Sequence, residues 1–252
     1  MRGTAGPLLI NSGRGGDTIT LSNNAATLGG IGHVIINDPS NSAAVTVDDS
    51  SFEGSTSYTL TSTQVAAAAW PNFLLLYNNL AALKLNGSSG DDQFNIEGTA
   101  SATATTVTTG SGRNRFDLTP TTQYLAGVAG SLCLLGSGAD TLVFWDQANP
   151  NAETYTFDGV PSMLALATVP SFATDWSGMA TVYLETNQMS TVNDPSGTVL
   201  VDVPPPGADT ALPQLTPAIA AERSIVQALL DDRRGACKAP VLVGGCSIAG
   251  DW

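Results

Sequence analysis

A repeat limits this chain more than any other feature. The segment "LLINSGRGGDTITLSNN" (8–24) lies over "VIINDPSNSAAVTVDDS" (34–50) without a gap. Ile10, Asn11, Ile19, Thr20 and Leu21 then fall on Ile36, Asn37, Val45, Thr46 and Val47. The same frame returns in "LKLNGSSGDDQFNIEGT", "TVTTGSGRNRFDLTP" and "LCLLGSGADTLVF", where an apolar residue precedes a turn and another follows nine positions later. A longer duplication overlies this one: 45–60 matches 142–157, and "YNNLAALKL" (77–85) matches "WSGMATVYL" (176–184). Together they place anchors at Ile10, Ile36, Leu60, Leu85, Val107, Cys133, Phe157 and Leu184, at spacings of 22 to 27 residues.

Short alternating segments at such a period, separated by Gly, Ser and Asn turns, predict an all-β chain. The expected architecture is a parallel β-solenoid (β-helix) of about eight 22–27-residue laps, in which one lap buries its apolar face only by stacking on the next. Ile10, Ile36, Leu85, Val107 and Cys133 are expected in one interior column, Cys133 as a small buried hydrophobe. A β-sandwich with strands at ten-residue spacing is the alternative, although a sandwich does not require equal offsets. Composition agrees with β structure: aromatic residues are 6% and charged residues 12%, and Gly, Ser, Thr and Asn fill the difference.

The pattern ends at Val203, which divides the chain into a repeat domain (1–203) and a tail (204–252). "PPPGAD" breaks the strands. Thr216 then reads as an N-cap with Pro217 at the first helical position and Gly235 past the end, predicting a short C-terminal α-helix over 217–234. Cys237 and Cys246 frame "CKAPVLVGGC" and are expected to form a disulfide, which implies an oxidising, extracellular or cell-surface setting. "MRGTAGPLLINSGRGG" has no apolar h-region, so a secretion signal has been removed or the chain is a piece of something larger.

Nine basic residues stand against 22 acidic ones, a net charge of −13. No basic cluster exists to neutralise phosphates, which excludes a nucleic-acid partner. No apolar run is long enough for a membrane span. The acidic balance suits divalent counter-ions.

Gly136-x-Gly138-x-Asp140-x-Leu142, and the looser "GRGGDTITL" (13–21), resemble the glycine-aspartate nonapeptides of RTX-type secreted proteins. More broadly, 8–203 resembles repeat regions of bacterial surface and adhesion proteins. The resemblance implies calcium held between successive turns, with Asp92, Asn114 and Asp140 stacked along one edge as candidate ligands. The same positions (Asp17, Ala43, Asp92, Asn114, Asp140) are also explained without an ion, by glycines taking positive φ and Asp or Asn side chains capping the turn.

Catalysis is not expected. The pairs Asp48–Asp49 and Asp91–Asp92 resemble the stacked aspartates of β-helix pectinases, yet neighbours on a strand point to opposite faces. His33 is the only histidine and has no partner in the pattern. Tyr77 and Trp176, matched by the duplication, could form a carbohydrate-stacking platform or pack at a corner. The expected role is structural: a spacer, adhesin segment or filament subunit that self-associates or joins neighbouring segments. A calcium-stabilised RTX-like module and a polysaccharide-active enzyme are the alternatives.

Overall fold

The computed structural model describes residues 7–23, 25–159, 162–167, 172, 174–187 and 190–202. Among them seventeen strands form one hydrogen-bonded sheet, mostly parallel and curled on itself. No helix in this set is long and apolar enough to cross a membrane.

The curled sheet has two walls, and the chain passes from one to the other. β1 (Leu8–Asn11) starts wall one and β2 (Thr18–Leu21) starts wall two. β3 (His33–Asn37) pairs in parallel with β1, and β4 (Ala44–Asp48) with β2. The chain then stays in wall one for an antiparallel meander of β5 (Ser57–Leu60), β6 (Gln64–Ala67) and β7 (Leu74–Asn78), and β7 lands in parallel on β3. β8 (Ala82–Asn86) returns to β4 in wall two, and β9 (Gln93–Ile96) joins β5 in wall one. β10 (Ala104–Thr108) and β11 (Arg115–Leu118) lie on β8 and β9.

β12 (Leu132–Asp146) follows and bends from wall two into wall one, covering β10 with its first half and β11 with its second. A second meander then forms, this time in wall two. It comprises β13 (Thr154–Gly159), β14 (Ser162–Leu166) and the first half of β15 (Thr174–Thr186), and β15 lies along the whole of β12. β16 (Thr191–Asn193) pairs with β13, and β17 (Val199–Asp202) with β15.

Alternation along each strand sends one set of side chains between the walls. Tyr58, Phe94 and Phe116 stack at 5.0 Å centroid spacing within wall one. Phe144 of wall one meets Trp176 of wall two at 5.4 Å, so the two inner faces share one core. Burying Phe116 alone is worth roughly 2–3 kcal/mol of transfer free energy.

Three expectations are corrected here. The single column separates in two: Ile10 stacks on Ile36 and then Tyr77, while Leu85 stacks on Val107 and then Leu134. Cys133 pairs with Thr106, one position out of that column, and lies on the outer face beside Leu135. The turn containing the 3-10 helix Leu125–Gly127 makes this lap one residue longer than the repeat suggested, and a one-residue slip turns every side chain to the opposite face. Equal laps also fail. Stacked positions are 22 and 26 residues apart through β9–β12, but 38 and 41 apart across the first meander. The two meanders occupy the places assigned to simple laps at Leu60 and Phe157. The helix over 217–234 lies outside the described residues, as does the Cys237–Cys246 pairing.

The glycines of "GSGADT" serve the bend. A Cβ on Gly178 would sit 2.1 Å from the Gly136 carbonyl oxygen, and one on Gly136 would sit 2.5 Å from that of Gly178. Gly138 has φ of +100° but faces open space. Replacing Gly138 by Ala should therefore cost the backbone strain alone, about 1–3 kcal/mol. Gly178→Ala, with φ of +71° and the backbone clash together, should cost clearly more; urea unfolding of the two variants makes the comparison.

Candidate functional site

The three candidate metal ligands do come together. Asp92, Asn114 and Asp140 precede β9, β11 and the second half of β12, and all are buried. They form a ladder in which each side chain accepts a main-chain N–H from a neighbouring lap. Thr56 N donates to Asp92 Oδ1 at 2.9 Å, Asp92 N to Asn114 Oδ1 at 2.9 Å, and Asn114 N to Asp140 Oδ1 at 2.8 Å. Asn114 Nδ2 and Ser137 Oγ also reach Asp140 Oδ1, while Thr109 Oγ1 and Ser137 N reach Oδ2. Asp140 is thus surrounded by N–H and O–H donors, which is the chemistry of a cap. One oxygen differs: Asp92 Oδ2 is buried without a hydrogen-bond partner. Burial is the largest influence on Asp92 and raises its pKa; Ser88 and Thr56, donating to the carboxylate, oppose it.

A second pair of carboxylates escaped the sequence reading. Asp49 Oδ2 accepts from the Tyr58 hydroxyl at 2.8 Å and from Trp70 Nε1 at 2.9 Å, and Oδ1 accepts from Leu28 N. Asp146 repeats the arrangement: Oδ2 accepts from the Tyr155 hydroxyl at 2.5 Å, and Oδ1 from Leu125 N at 2.7 Å. The duplication that aligns 45–60 with 142–157 places Asp49 on Asp146 and Tyr58 on Tyr155, so the signal was present in the repeat. Each pair ties the first meander strand to an earlier turn, at Leu28 before β3 and at Leu125 before β12. Burial, then the neighbouring carboxylate, pushes both tyrosine hydroxyls above their ordinary range. Burial likewise raises Asp146, with Tyr155 donating against it.

Asp38 and Asp194 belong to identical "NDPS" turns. Asp38 accepts from Ser40 N, Ser40 Oγ, Ser42 N and Ala43 N. Asp194 accepts from Ser196 N, Ser196 Oγ and Val199 N. Burial raises both, but the donors together outweigh it and hold both carboxyls below the usual range.

The remaining candidates separate. Asp48 and Asp49 do point to opposite faces: Asp48 accepts from Asn86 Nδ2 outside, and Asp49 is buried inside. Exposed Asp91 accepts from Arg113 N, away from buried Asp92. Tyr77 and Trp176 are 4% and 7% exposed, which removes the carbohydrate platform. The Tyr77 hydroxyl donates to the Thr61 carbonyl, and Trp176 packs on Phe144 and Phe157. His33 lines a cleft of about 430 Å³ with Leu28, Ile31, Trp70 and Phe73. Its lining mixes polar and apolar surface, and among the described residues it presents no second titratable group for acid–base work. Among the described residues no group of three or more His, Cys, Asp or Glu is placed to hold a metal ion.

The raised Asp92 pKa fixes a sign. The fold binds a proton there more tightly than the unfolded chain does, so stability is lost as pH rises through the folded pKa and regained below it. Relative to Asp92→Asn, the wild type should therefore gain stability as pH falls from 7 to 4. Asp38 and Asp194 act oppositely, their stabilisation fading as pH drops below the ordinary carboxylate range. Urea unfolding of wild type and Asp92→Asn across this interval checks the first sign, and the same comparison with Asp38→Asn from about pH 4 down to about pH 2 checks the second. No protein family, curated protein or solved structure was found to match this chain.

Proposed function

We propose that this protein is a β-solenoid rod with a structural role outside the cell, as a spacer, adhesin segment or filament subunit that associates with its own kind. The carrying observation is the use made of its buried polar groups. Asp49, Asn114, Asp140 and Asp146 each accept donors from other strands or loops. Groups that could have supplied chemistry are spent on holding laps together. Low charge and a strongly acidic balance suit a surface that stays soluble beside copies of itself.

Fractionation of the producing organism, with protease added to intact cells, tests the setting. Recovery in the surface or secreted fraction is the expected result; confinement to the cytoplasm would overturn it.

A calcium-stabilised form of the same rod is favoured by one atom, the unpartnered Asp92 Oδ2. Calcium needs six to eight oxygens, and one free carboxylate oxygen beside donor-filled neighbours supplies few. Asp140→Ala should therefore lose about 2–4 kcal/mol through orphaned donors, equally in calcium and in chelator. A loss seen only with calcium present would establish the metal-bound form instead.

A further inference from the structure

The two ends of the strand stack match each other. Counting from β1 to β9, the first copy of the duplication contributes nine strands, an odd number. The second copy therefore starts in the opposite wall: β10 and β11 correspond to β1 and β2, but lie in walls two and one. For the same reason the first meander falls in wall one and the second in wall two. Each wall thus contains one meander. Wall one runs β1-β3-β7-β6-β5-β9-β11-β12-β15-β17, and wall two runs β2-β4-β8-β10-β12-β15-β14-β13-β16. With both meanders in one wall, the stack would end in a deep step; among the described residues the walls agree to within one strand. A meander reverses direction twice, so β17 runs parallel to β1 and β16 parallel to β2.

The end strands are also apolar where they should be wet. Among the described residues three large hydrophobic side chains stand out as exposed, and two of them are Leu9 on β1 and Val201 on β17, at 58% and 42%. Inside the chain, the counterparts of β1 and β2 already lie on strands before them: β10 on β8 and β11 on β9, with Val107 over Leu85 and Phe116 over Phe94. β17 continues this logic on β15, with Val201 over Leu184 as Val107 is over Leu85.

We infer that the chain joins copies of itself head to tail, the outer edges of β1 and β2 of one copy pairing in parallel with the outer edges of β17 and β16 of the next. In wall two this contact repeats the junction between the two halves of the chain, β2 on β16 as β11 lies on β9; in wall one β1 would cover β17 as the first half of β12 covers β10. The contact is heterologous, so it does not close on itself and propagates along the stack. The inference rests on the rod reading and adds the partner and the polarity of the joint.

Backbone alternation supplies the test. Ser12 N is given to Asn37 of β3, so two and four residues earlier Ile10 and Leu8 also face β3, and Leu9 turns its N–H to the outer edge, on which no described strand pairs. In β10, Ala104 N bonds back to Ala81 while Thr105 N is given forward to Ser131. Val107 shares the direction of Thr105, and Val201, its counterpart on β17, faces the open edge likewise. Leu9→Pro and Val201→Pro each remove one outward donor while keeping the inward bonds, a substitution that edge strands tolerate.

Light scattering on the full chain should show wild type growing into a concentration-dependent series. Each variant alone should stay monomeric, since every joint needs one intact edge of each kind. An equimolar mixture should form heterodimers and stop there, because Leu9→Pro keeps a working β17/β16 end and Val201→Pro a working β1/β2 end. Circular dichroism confirms folding, and Leu9→Lys with Val201→Lys repeats the design should a proline variant unfold. Wild type that stays monomeric at high concentration would overturn the joint and leave the rod standing. Dimerisation of either variant alone would overturn it too, by showing like edges pairing. A cytoplasmic location, in contrast, would sink the extracellular reading without touching the joint.

Discussion

Everything in this molecule depends on the parallel register of strand upon strand. Because equivalent residues lie directly over one another, each inner position becomes a column, and one poor residue is felt along the whole stack. Tyr58, Phe94 and Phe116 show the benefit, stacking at one spacing through three laps. The same register brings backbone N–H groups of successive turns into line, and the buried Asp and Asn side chains accept them. A turn free to satisfy itself locally would need none of this; here each turn is capped partly by its neighbour. The apolar columns and the polar ladder are two consequences of a single constraint.

The carboxylates follow two regimes set by the balance of donors against burial and negative neighbours. Asp38 is buried and Asp194 half-buried, yet both are held in the charged form, since several N–H and O–H groups converge on each. Asp92 and Asp146 are raised, because fewer donors or closer negative neighbours leave burial dominant. Burial and converging hydrogen bonds are enough to shift these carboxyls, so a perturbed acid is not by itself a sign of catalysis.

Much of the fold was legible in the sequence. Period-two alternation around Ile19, Val45, Leu83 and Phe94 reads as strands, and the ladder of Asp92, Asn114 and Asp140 follows from a constant position before each strand. The Asp–Tyr pairs at 49/58 and 146/155 were visible only through the duplication, since nothing local distinguishes them from other polar residues. Cys133 was misplaced because an apolar residue beside Leu132 and Leu134 fits either face, and one extra residue in the preceding turn decided between them. The two meanders were missed because antiparallel strands alternate just as parallel ones do.

The sequence by itself determined that the chain is β-rich and repetitive, that its turns need glycine and short polar caps, and that it cannot present a basic surface. These are properties of composition and local spacing, and no tertiary partner is needed to express them. Only the tertiary structure decided which strand lies on which. A strand's alternation says that it has an inner face but not whose inner face it meets, because the hydrogen bonds between strands join backbone groups that every residue carries alike. The two walls, the change of wall between the two copies and the near match of their strand counts among the described residues all arise at that level, from an odd count of strands and the direction in which each turn sends the chain.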